Sequence, residues 1–415
     1  MKRKQIALLL TAGLLGATLA GCTPAEGTNG TGTVTKAGQT TAGQTQPAGE
    51  HESKYLTDPT VVAAAVEKLL EPYELEPLSE EDAAYTVNLG YYNCDHMTAA
   101  AIGEASGIFE AMGMKVVTTG NGNVPEAMSA GRMDMAYAGW TTTLGAVPMG
   151  TPLFIAADNH TGGAEYLVVS NEIKDPEDLI GKKISVGNDP TNNLNWMEWT
   201  DQMGIPNDIE QYENFAMSDS DEYFAMVSGN LDGFITCDPW GSMAEYEGTG
   251  RIMMAQDVAR ENGHGTCCKV AMNYDFAENH PELAARMLLA HTISVQYMYT
   301  HPYSSAEIFA DYYNVPKEVG LLTLHKKLVQ EGRTISWDLN QKNMQNQLDT
   351  MKKYNVRPDI NSVDLNDYID LTYYNNSGAR DFSEFIESEV DAVFPLDMSF
   401  EDFRAKAVEV DRVNE

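Results

Sequence analysis

Short β-forming runs alternate with helical segments from Tyr85 onward, and the whole alternation begins a second time at Tyr166. The predicted strands of the two series are 85–90, 114–118, 134–138 and 153–157, then 166–170, 183–186, 209–215 and 231–236. Strands that alternate with helices at this spacing form a parallel sheet covered by helices on both faces. The sequence therefore predicts two α/β lobes. A further strand at 269–273 is expected to cross back to the first lobe.

The size and charge of the chain narrow its possible partners. Its 415 residues exceed what one hydrophobic core usually organises, about 250–300 residues, which agrees with two lobes. Its 27 basic residues stand against 61 acidic ones, a formal charge of −34. Such a surface repels phosphate and offers no basic stripe, so no nucleic-acid partner and no polybasic contact with anionic lipid are expected. We expect a monomer.

The N-terminus predicts export and a lipid anchor. A basic start is followed by an apolar run at 6–20 that is too short to span a bilayer. The run ends in Leu-Ala-Gly-Cys at 19–22, which resembles the bacterial lipoprotein signal, in which the cysteine is lipidated. Residues 1–21 are thus predicted to be a lipoprotein signal peptide, with Cys22 as the lipidation site. The Gly-, Thr- and Gln-rich segment 22–54 cannot bury enough apolar surface to fold and is predicted to be a flexible tether.

A family resemblance depends on the order and spacing of several segments. They are ASGIFEAM at 105–112, AGRMDMAYAG at 130–139, PEDLIGKKISVG at 176–187, SGNLDGFITCDPW at 228–240 and the helical segment 343–370. With these segments, the chain from Tyr85 to about Tyr374 resembles a substrate-binding lipoprotein of a bacterial ABC importer. The resemblance is to the nitrate/sulfonate/taurine group, which also includes binders of thiamine pyrimidine precursors.

The resemblance implies an α/β, two-lobed periplasmic-binding-protein-like fold with a ligand cleft between the lobes and a C-terminal helical wrap. The expected organisation is a helical extension at 55–84, lobe 1 at 85–165, lobe 2 at 166–266, a return to lobe 1 at 267–300 and C-terminal helices at 301–415. It also implies a non-enzymatic, extracytoplasmic protein, held to the membrane by lipid alone, that delivers a small molecule to an ABC-type permease. No cofactor is expected.

Candidate ligand-binding residues follow from where the predicted strands end. In open α/β sheets a ligand binds beyond the C-terminal ends of the strands, in the loops that follow them. Tryptophans in these loops could enclose a planar group, and a helix N-terminus could supply hydrogen-bond donors. The selected residues are Tyr92, Asn93, His96, Trp140, Thr141, His160, Asn188, Asp189, Thr191, Asn192, Asp238 and Trp240. Core packing explains Trp140 equally well, and Asp238 before a proline is also typical of a turn.

The charge of these loops favours one class of ligand. They contain no Lys or Arg but several aspartates, and a free anion buried among carboxylates is costly. A neutral or cationic heterocycle or amine is therefore slightly favoured. The alternative is an oxyanion such as nitrate, taurine or an alkyl or aryl sulfonate, which Arg132 or Lys269 would favour if either reached the cleft.

Two other interpretations concern an enzyme and the cysteines. A pyrimidine-synthesis-like enzyme on the same fold would need an activated nucleophile or base, and no motif of that kind is present. A zinc or copper site could in principle be built from Cys94, His96, Cys237, His264, Cys267 and Cys268, but it is not favoured, because no Cys-x-x-Cys or His-x-x-x-His spacing occurs. A disulfide from Cys94 to Cys267 or Cys268 is favoured instead, and these two neighbours should face opposite sides of a strand. The sequence leaves the redox state of the cysteines open.

Overall fold

The computed structural model describes residues 55–92, 94–120, 123–162, 165–255, 265–360 and 363–413. The predicted signal peptide, lipidation site and tether lie outside these residues, as does the candidate ligand-binding residue Asn93. Among the described residues, no helix combines the length and apolar character needed to cross a membrane.

The strands form two five-stranded sheets within one structural unit. In chain order they are β1 (Thr86–Tyr91), β2 (Lys115–Gly120), β3 (Met135–Gly139), β4 (Leu153–Asp158), β5 (Tyr166–Ser170), β6 (Lys183–Ser185), β7 (Glu213–Phe215), β8 (Gly233–Thr236), β9 (Gly250–Ala255) and β10 (Cys268–Asn273). The first sheet has the order β2-β1-β3-β10-β4 and the second the order β7-β6-β8-β5-β9. The two α/β lobes expected from the repeated alternation are thus present.

Neither sheet is purely parallel, so the predicted strand direction needs a correction. β10 enters the first sheet between β3 and β4 and runs antiparallel to both. In the second sheet β5 runs antiparallel to β8 and to β9, a strand that the sequence pattern did not predict. These antiparallel pairings follow from the path of the chain. β5 carries the chain into the second lobe, and β10 carries it back into the first lobe in the direction opposite to its neighbours.

The α-helices cover the sheets and form most of the chain after 280. They are α1 (Pro59–Leu70), α2 (Glu80–Ala84), α3 (Thr98–Ala105), α4 (Ile108–Ala111), α5 (Val124–Ser129), α6 (Trp140–Ala146), α7 (Leu194–Met203), α8 (Asp219–Val227), α9 (Trp240–Tyr246), α10 (Tyr274–Asn279), α11 (Pro281–Thr300), α12 (Pro302–Tyr313), α13 (Lys317–His325), α14 (Gln341–Tyr354), α15 (Thr372–Asn376), α16 (Phe382–Phe385) and α17 (Phe400–Val410). A π-helical turn, Lys326–Gln330, continues α13. Nearly every residue of α11 is buried against the first sheet.

The C-terminal helices pack into the body rather than beside it. Trp337, Phe385 and Phe403 belong to the same hydrophobic core as the first sheet and α11. Helix α14 packs its Met344 and Leu348 on Trp140 of the first lobe, and α7 of the second lobe packs against the same cluster. The C-terminal segment therefore contacts both lobes beside the gap between the sheets.

A buried ionic network joins these parts at one point. Lys327, on the π-helical turn, lies 3.2 Å from Asp95 Oδ2 and 3.0 Å from Glu331 Oε2, and donates to Tyr166 Oη at 2.7 Å. Asp95 follows β1, and its backbone N–H donates to the carbonyl of Asp238, which follows β8, at 3.1 Å. The loops after a central strand of each sheet are thereby held together.

Candidate functional site

A cavity of about 570 Å³ lies between the two sheets, where the loops after β1, β3, β6 and β8 meet. Residues 266–268, at the start of β10, and the end of α14 complete its wall. This volume lies within the range of small-molecule sites, which are usually concave and partly apolar with a few polar groups. The position agrees with the rule that ligands bind beyond the strand ends.

Six of the predicted ligand-binding residues line this cavity. They are Tyr92, His96, Trp140, Thr141, Asp189 and Asn192. Tyr92 keeps 44% of its surface exposed although it is a large aromatic residue, whereas Trp140 is 2% exposed and also packs in the core. The two interpretations of Trp140, cavity wall and core residue, therefore both describe its position.

Five predicted residues do not line the cavity, and local structure explains why. Asp238 is fully buried and binds the first turn of α9, since it accepts from the backbone N–H and the hydroxyl of Ser242 at 2.7 and 2.8 Å. Trp240 lies on α9 and packs on Tyr223, with ring centroids 5.7 Å apart. His160 is fully buried behind His96. The remaining two, Asn188 and Thr191, are exposed on the loop after β6.

Two half-buried carboxyl groups at the cavity were missed by the sequence reasoning. Glu165 precedes β5, and because β5 runs antiparallel to β8 its N-terminal end lies where the other strands end. Asp219 begins α8 and accepts from the Cys237 thiol at 3.5 Å. The rule that considers only the C-terminal ends of strands could not select Glu165, and the antiparallel pairing of β5 was the signal that it lacked. Asp219 follows the C-terminal end of β7, so the same rule could have selected it.

Desolvation raises the pKa of these carboxyl groups above the ordinary value. Desolvation, together with the charge on Cys267, raises the pKa of Glu165 to about 7, against the hydrogen bond that Asn195 donates at 2.5 Å. Desolvation also raises the pKa of Asp219. Behind Asp219, burial raises the pKa of Glu222 to about 8. Near neutral pH this wall can donate hydrogen bonds or, once ionised, bind a cation.

Basic side chains contribute little unpaired charge to the cavity. Arg357 is the only Lys or Arg among the described lining residues, and it forms two hydrogen bonds to Asp359, at 2.9 and 2.8 Å. Lys269 does not reach the cavity, because it is buried against Asp158 at 2.5 Å. Arg132 lines a separate surface pocket. The two cations that could have favoured an anion are thus elsewhere, while the sequence reasoning overlooked Arg357.

Three cysteines and a histidine meet at the cavity wall, and we call Cys94, His96, Cys267 and Cys268 the thiol–imidazole cluster. His96 Nε2 lies 2.8 Å from Cys94 Sγ and 3.7 Å from Cys267 Sγ. The sulfurs of Cys267 and Cys268 are 3.4 Å apart. All four described cysteines are free, so the structure contains no disulfide from Cys94 to either neighbour. The expectation that Cys267 and Cys268 face opposite ways is also wrong, because β10 begins only at Cys268.

Electrostatics in the cluster favour a protonated His96 beside a Cys267 thiolate. Burial opposes a charge on His96, but the fields of Cys267 and Asp95 overcome it and raise the pKa of His96 to about 10. The hydrogen bond from Cys268, aided by the charge on His96, holds the pKa of Cys267 well below its ordinary value. The Asp95 carboxylate lies 3.1 Å from His96 Nδ1 and orients the ring. The cluster can therefore act as a nucleophile, a base or a set of soft metal ligands.

Solved structures with this fold include proteins of known ligands. The alkanesulfonate-binding protein SsuA from Xanthomonas axonopodis pv. citri, bound to MOPS, is 18% identical, with 65% of this chain and 92% of that chain covered and a TM-score of 0.54. The periplasmic nitrate-binding protein NrtA from Synechocystis PCC 6803 is 13% identical, with 80% and 98% covered and a TM-score of 0.55. A cysteine-to-serine mutant of DSZB in complex with biphenyl-2-sulfinic acid is 12% identical, with 70% and 98% covered and a TM-score of 0.53.

At these identities the solved structures establish the fold alone, which is the two-lobed architecture of periplasmic binding proteins. No curated protein matches the chain in sequence. The NMT1-like family model matches residues 80–311, more than half of the chain, which include both sheets and most of the cavity wall. The chain therefore belongs to the NMT1-like family.

Proposed function

We propose that this protein is an extracytoplasmic solute-binding lipoprotein that captures a small organic molecule in the cavity and delivers it to an ABC-type permease. The fold shared with SsuA and NrtA and the cavity between the sheets support the proposal. In this proposal lobe 1 spans 85–165, lobe 2 spans 166–266, and Cys22 carries the lipid that holds a monomer at the membrane.

We infer that the ligand is a neutral or cationic heterocycle or amine. The observation behind this inference is the pair of half-buried carboxyl groups, Glu165 and Asp219, whose pKa values are raised at the cavity wall. A bound cation would favour the ionised form of these two carboxyl groups, which desolvation disfavours. Aromatic faces such as that of Tyr92 would add a cation–π contact. Nitrate and alkanesulfonate, named for the two relatives, are anions and form the alternative class.

A thermal-shift screen tests the proposal on the purified chain. The panel contains polyamines, quaternary amines, pyrimidines and purines against nitrate, taurine and alkyl or aryl sulfonates. A ligand that binds only the folded state raises the melting temperature by mass action. A shift with an amine or a heterocycle is expected. A shift with anions alone would contradict the inferred ligand class but not the binding role, and no shift with any compound would contradict both.

Affinity for a cationic ligand is expected to rise about tenfold between pH 6 and pH 8, because Glu165, with a pKa of about 7, ionises over that range. Below pH 7 binding must release a proton from this carboxyl group, which weakens it. Isothermal titration at several pH values measures the slope. Glu165→Gln should remove the slope, whereas Glu177→Gln, an exposed site on the second lobe, should keep it. An unchanged slope in Glu165→Gln would assign the titration to another group.

Tyr92→Ala is expected to weaken ligand binding by about 3–10-fold, the usual scale of one aromatic contact. Tyr92 lines the cavity and is 44% exposed, so its removal should cost little stability. Tyr246→Ala is the matched control, because Tyr246 is 48% exposed and does not line the cavity. Equal affinities of the two variants would place the ligand elsewhere.

A second candidate function, a thiol-dependent enzyme, is favoured by one arrangement. His96 lies between the Asp95 carboxylate and the Cys267 sulfur, which is the order of orienting group, base and nucleophile in thiol enzymes. Mass spectrometry of a ligand found in the screen separates the two functions. A binding protein returns the ligand unchanged, whereas an enzyme converts it and loses the conversion in Cys267→Ser.

A further inference from the structure

The thiol–imidazole cluster brings together donors that are far apart in sequence. The donor atoms of His96, Cys267 and Cys268 all lie within 4.8 Å of one another, whereas Cys94 belongs to a separate group with Asp95 and His96. A tetrahedral zinc ion with ordinary Zn–S and Zn–N bonds separates its donors by about 3.5–3.8 Å. The separations of 3.7 Å and 3.4 Å along His96, Cys267 and Cys268 match that spacing, so small side-chain rotations would seat an ion.

The surroundings of His96 suit a metal ligand. Its Nδ1 lies 3.1 Å from Asp95 Oδ1, which leaves Nε2 directed at the sulfurs. Asp95 is itself held by Lys327 at 3.2 Å. A carboxylate that fixes the second nitrogen of a ligating histidine is the usual outer-shell arrangement of metal sites.

His160 supplies an independent observation. Its side chain is fully buried, and its ring stacks on His96 with centroids 4.9 Å apart. Neither ring nitrogen has a partner that meets hydrogen-bond geometry among the described residues, although the ring lies near enough to the Cys267 thiol for the two to influence each other's pKa. A buried polar group without a well-formed hydrogen bond is costly, and His160 could offset that cost by binding an ion held at Cys267. Cys267, half-buried at the cavity wall, gives an ion a route from the cavity to the cluster.

We propose that His96, Cys267 and Cys268 form a binding site for a thiophilic metal ion, with Zn²⁺ as the reference ion. Two thiolates and one imidazole are a known set of three protein ligands for tetrahedral zinc, with the fourth position left to water or another ligand, and soft sulfur donors select against Mg²⁺ and Ca²⁺. Binding requires both cysteines as thiolates and would release a proton from any that is still a thiol. The site does not depend on which organic molecule the cavity binds, because all three ligands belong to the chain.

Cobalt substitution tests the site on the reduced full-length chain. One equivalent of Co²⁺ is expected to give thiolate-to-metal charge-transfer absorption and the intense d–d bands of tetrahedral cobalt, and Zn²⁺ should bleach both. Native mass spectrometry should show one ion for each chain. Bands of octahedral cobalt without charge transfer, or no binding, would overturn the proposal.

Variants locate the ion. Cys267→Ser and His96→Ala should each weaken Co²⁺ binding by at least about 10–100-fold, the scale typical of the weaker, outer-shell changes. Glu177→Gln is the control, because Glu177 is exposed on the second lobe, does not line the cavity and should leave the spectrum unchanged. Circular dichroism confirms that each variant is folded. Unchanged binding in Cys267→Ser, or equal loss in Glu177→Gln, would remove the cluster as the site, whatever the organic ligand screen finds.

Discussion

Replacing Lys327 with methionine is expected to lower the free energy of unfolding by about 3–5 kcal/mol, the usual cost of removing one partner from a buried ion pair. Lys327 is 1% exposed and its ammonium contacts Asp95, Glu331 and Tyr166. Methionine preserves most of the volume of the lysine side chain but removes the positive charge that compensates the carboxylates of Asp95 and Glu331. Because Asp95 and Tyr166 belong to different lobes, the loss also affects how the lobes are joined.

Urea denaturation of the wild-type and variant chains measures this loss. Lys353→Met is the matched control, since Lys353 is exposed and its replacement should change stability by no more than about 0.5 kcal/mol. A double variant, Lys327→Met with Glu331→Gln, should recover part of the loss by removing one uncompensated charge. A loss below about 1 kcal/mol for Lys327→Met would mean that water or rearrangement replaces the ammonium.

Most of the fold was predictable because strand and helix periodicity is local information. The repeated alternation located nine of the ten strands, with small shifts such as Thr86–Tyr91 for 85–90. What it could not supply was direction, since period-2 burial is identical in parallel and antiparallel strands. The antiparallel courses of β5 and β10 depend on which lobe the chain has just left, and that is a property of the whole path.

The candidate site was predicted only in part, because the sequence pattern does not give the direction of each strand. Loop residues after parallel strands, such as Tyr92 and Trp140, do line the cavity. Asp238 has the same sequence context but binds the backbone of the first turn of α9, and such local hydrogen bonds compete with ligand contact in any loop of this kind. Sequence reasoning did not select Glu165, because β5, the strand that follows it, runs antiparallel to β8.

The thiol–imidazole cluster shows a different limit of sequence reasoning. Metal signatures are recognised by short spacings, yet 171 residues separate His96 from Cys267. Their meeting requires β10 to lie beside β3, so that Cys268 pairs with Gly139 at the edge of the cavity. The sequence named Cys94 as a disulfide partner of this adjacent pair, but only the sheet order shows that His96 and the free cysteines meet at one point.

Trp337→Ala is expected to lower the free energy of unfolding by about 3–5 kcal/mol, the range for deleting a buried large aromatic side chain. Trp337 is fully buried, packs edge-on against Phe382 with ring centroids 4.9 Å apart, and donates its Nε1–H to the carbonyl of Arg380 at 2.8 Å. Its own carbonyl accepts from the backbone N–H of Asp158 at the end of β4. Alanine would leave a cavity where the C-terminal helices meet the first sheet.

The same contacts predict which part of the molecule loosens first. Trp337 connects β4 to the segment around α16, while the second sheet packs mainly in hydrophobic clusters of its own. Hydrogen exchange in Trp337→Ala should therefore speed up in α16 and α17 before it does so in the second sheet. Phe224→Ala is the control, because Phe224 is 60% exposed and its removal should leave exchange in α16 unchanged. If both variants unfold at the same urea concentration as the wild type, the C-terminal helices are an appendage and do not stabilise the first lobe.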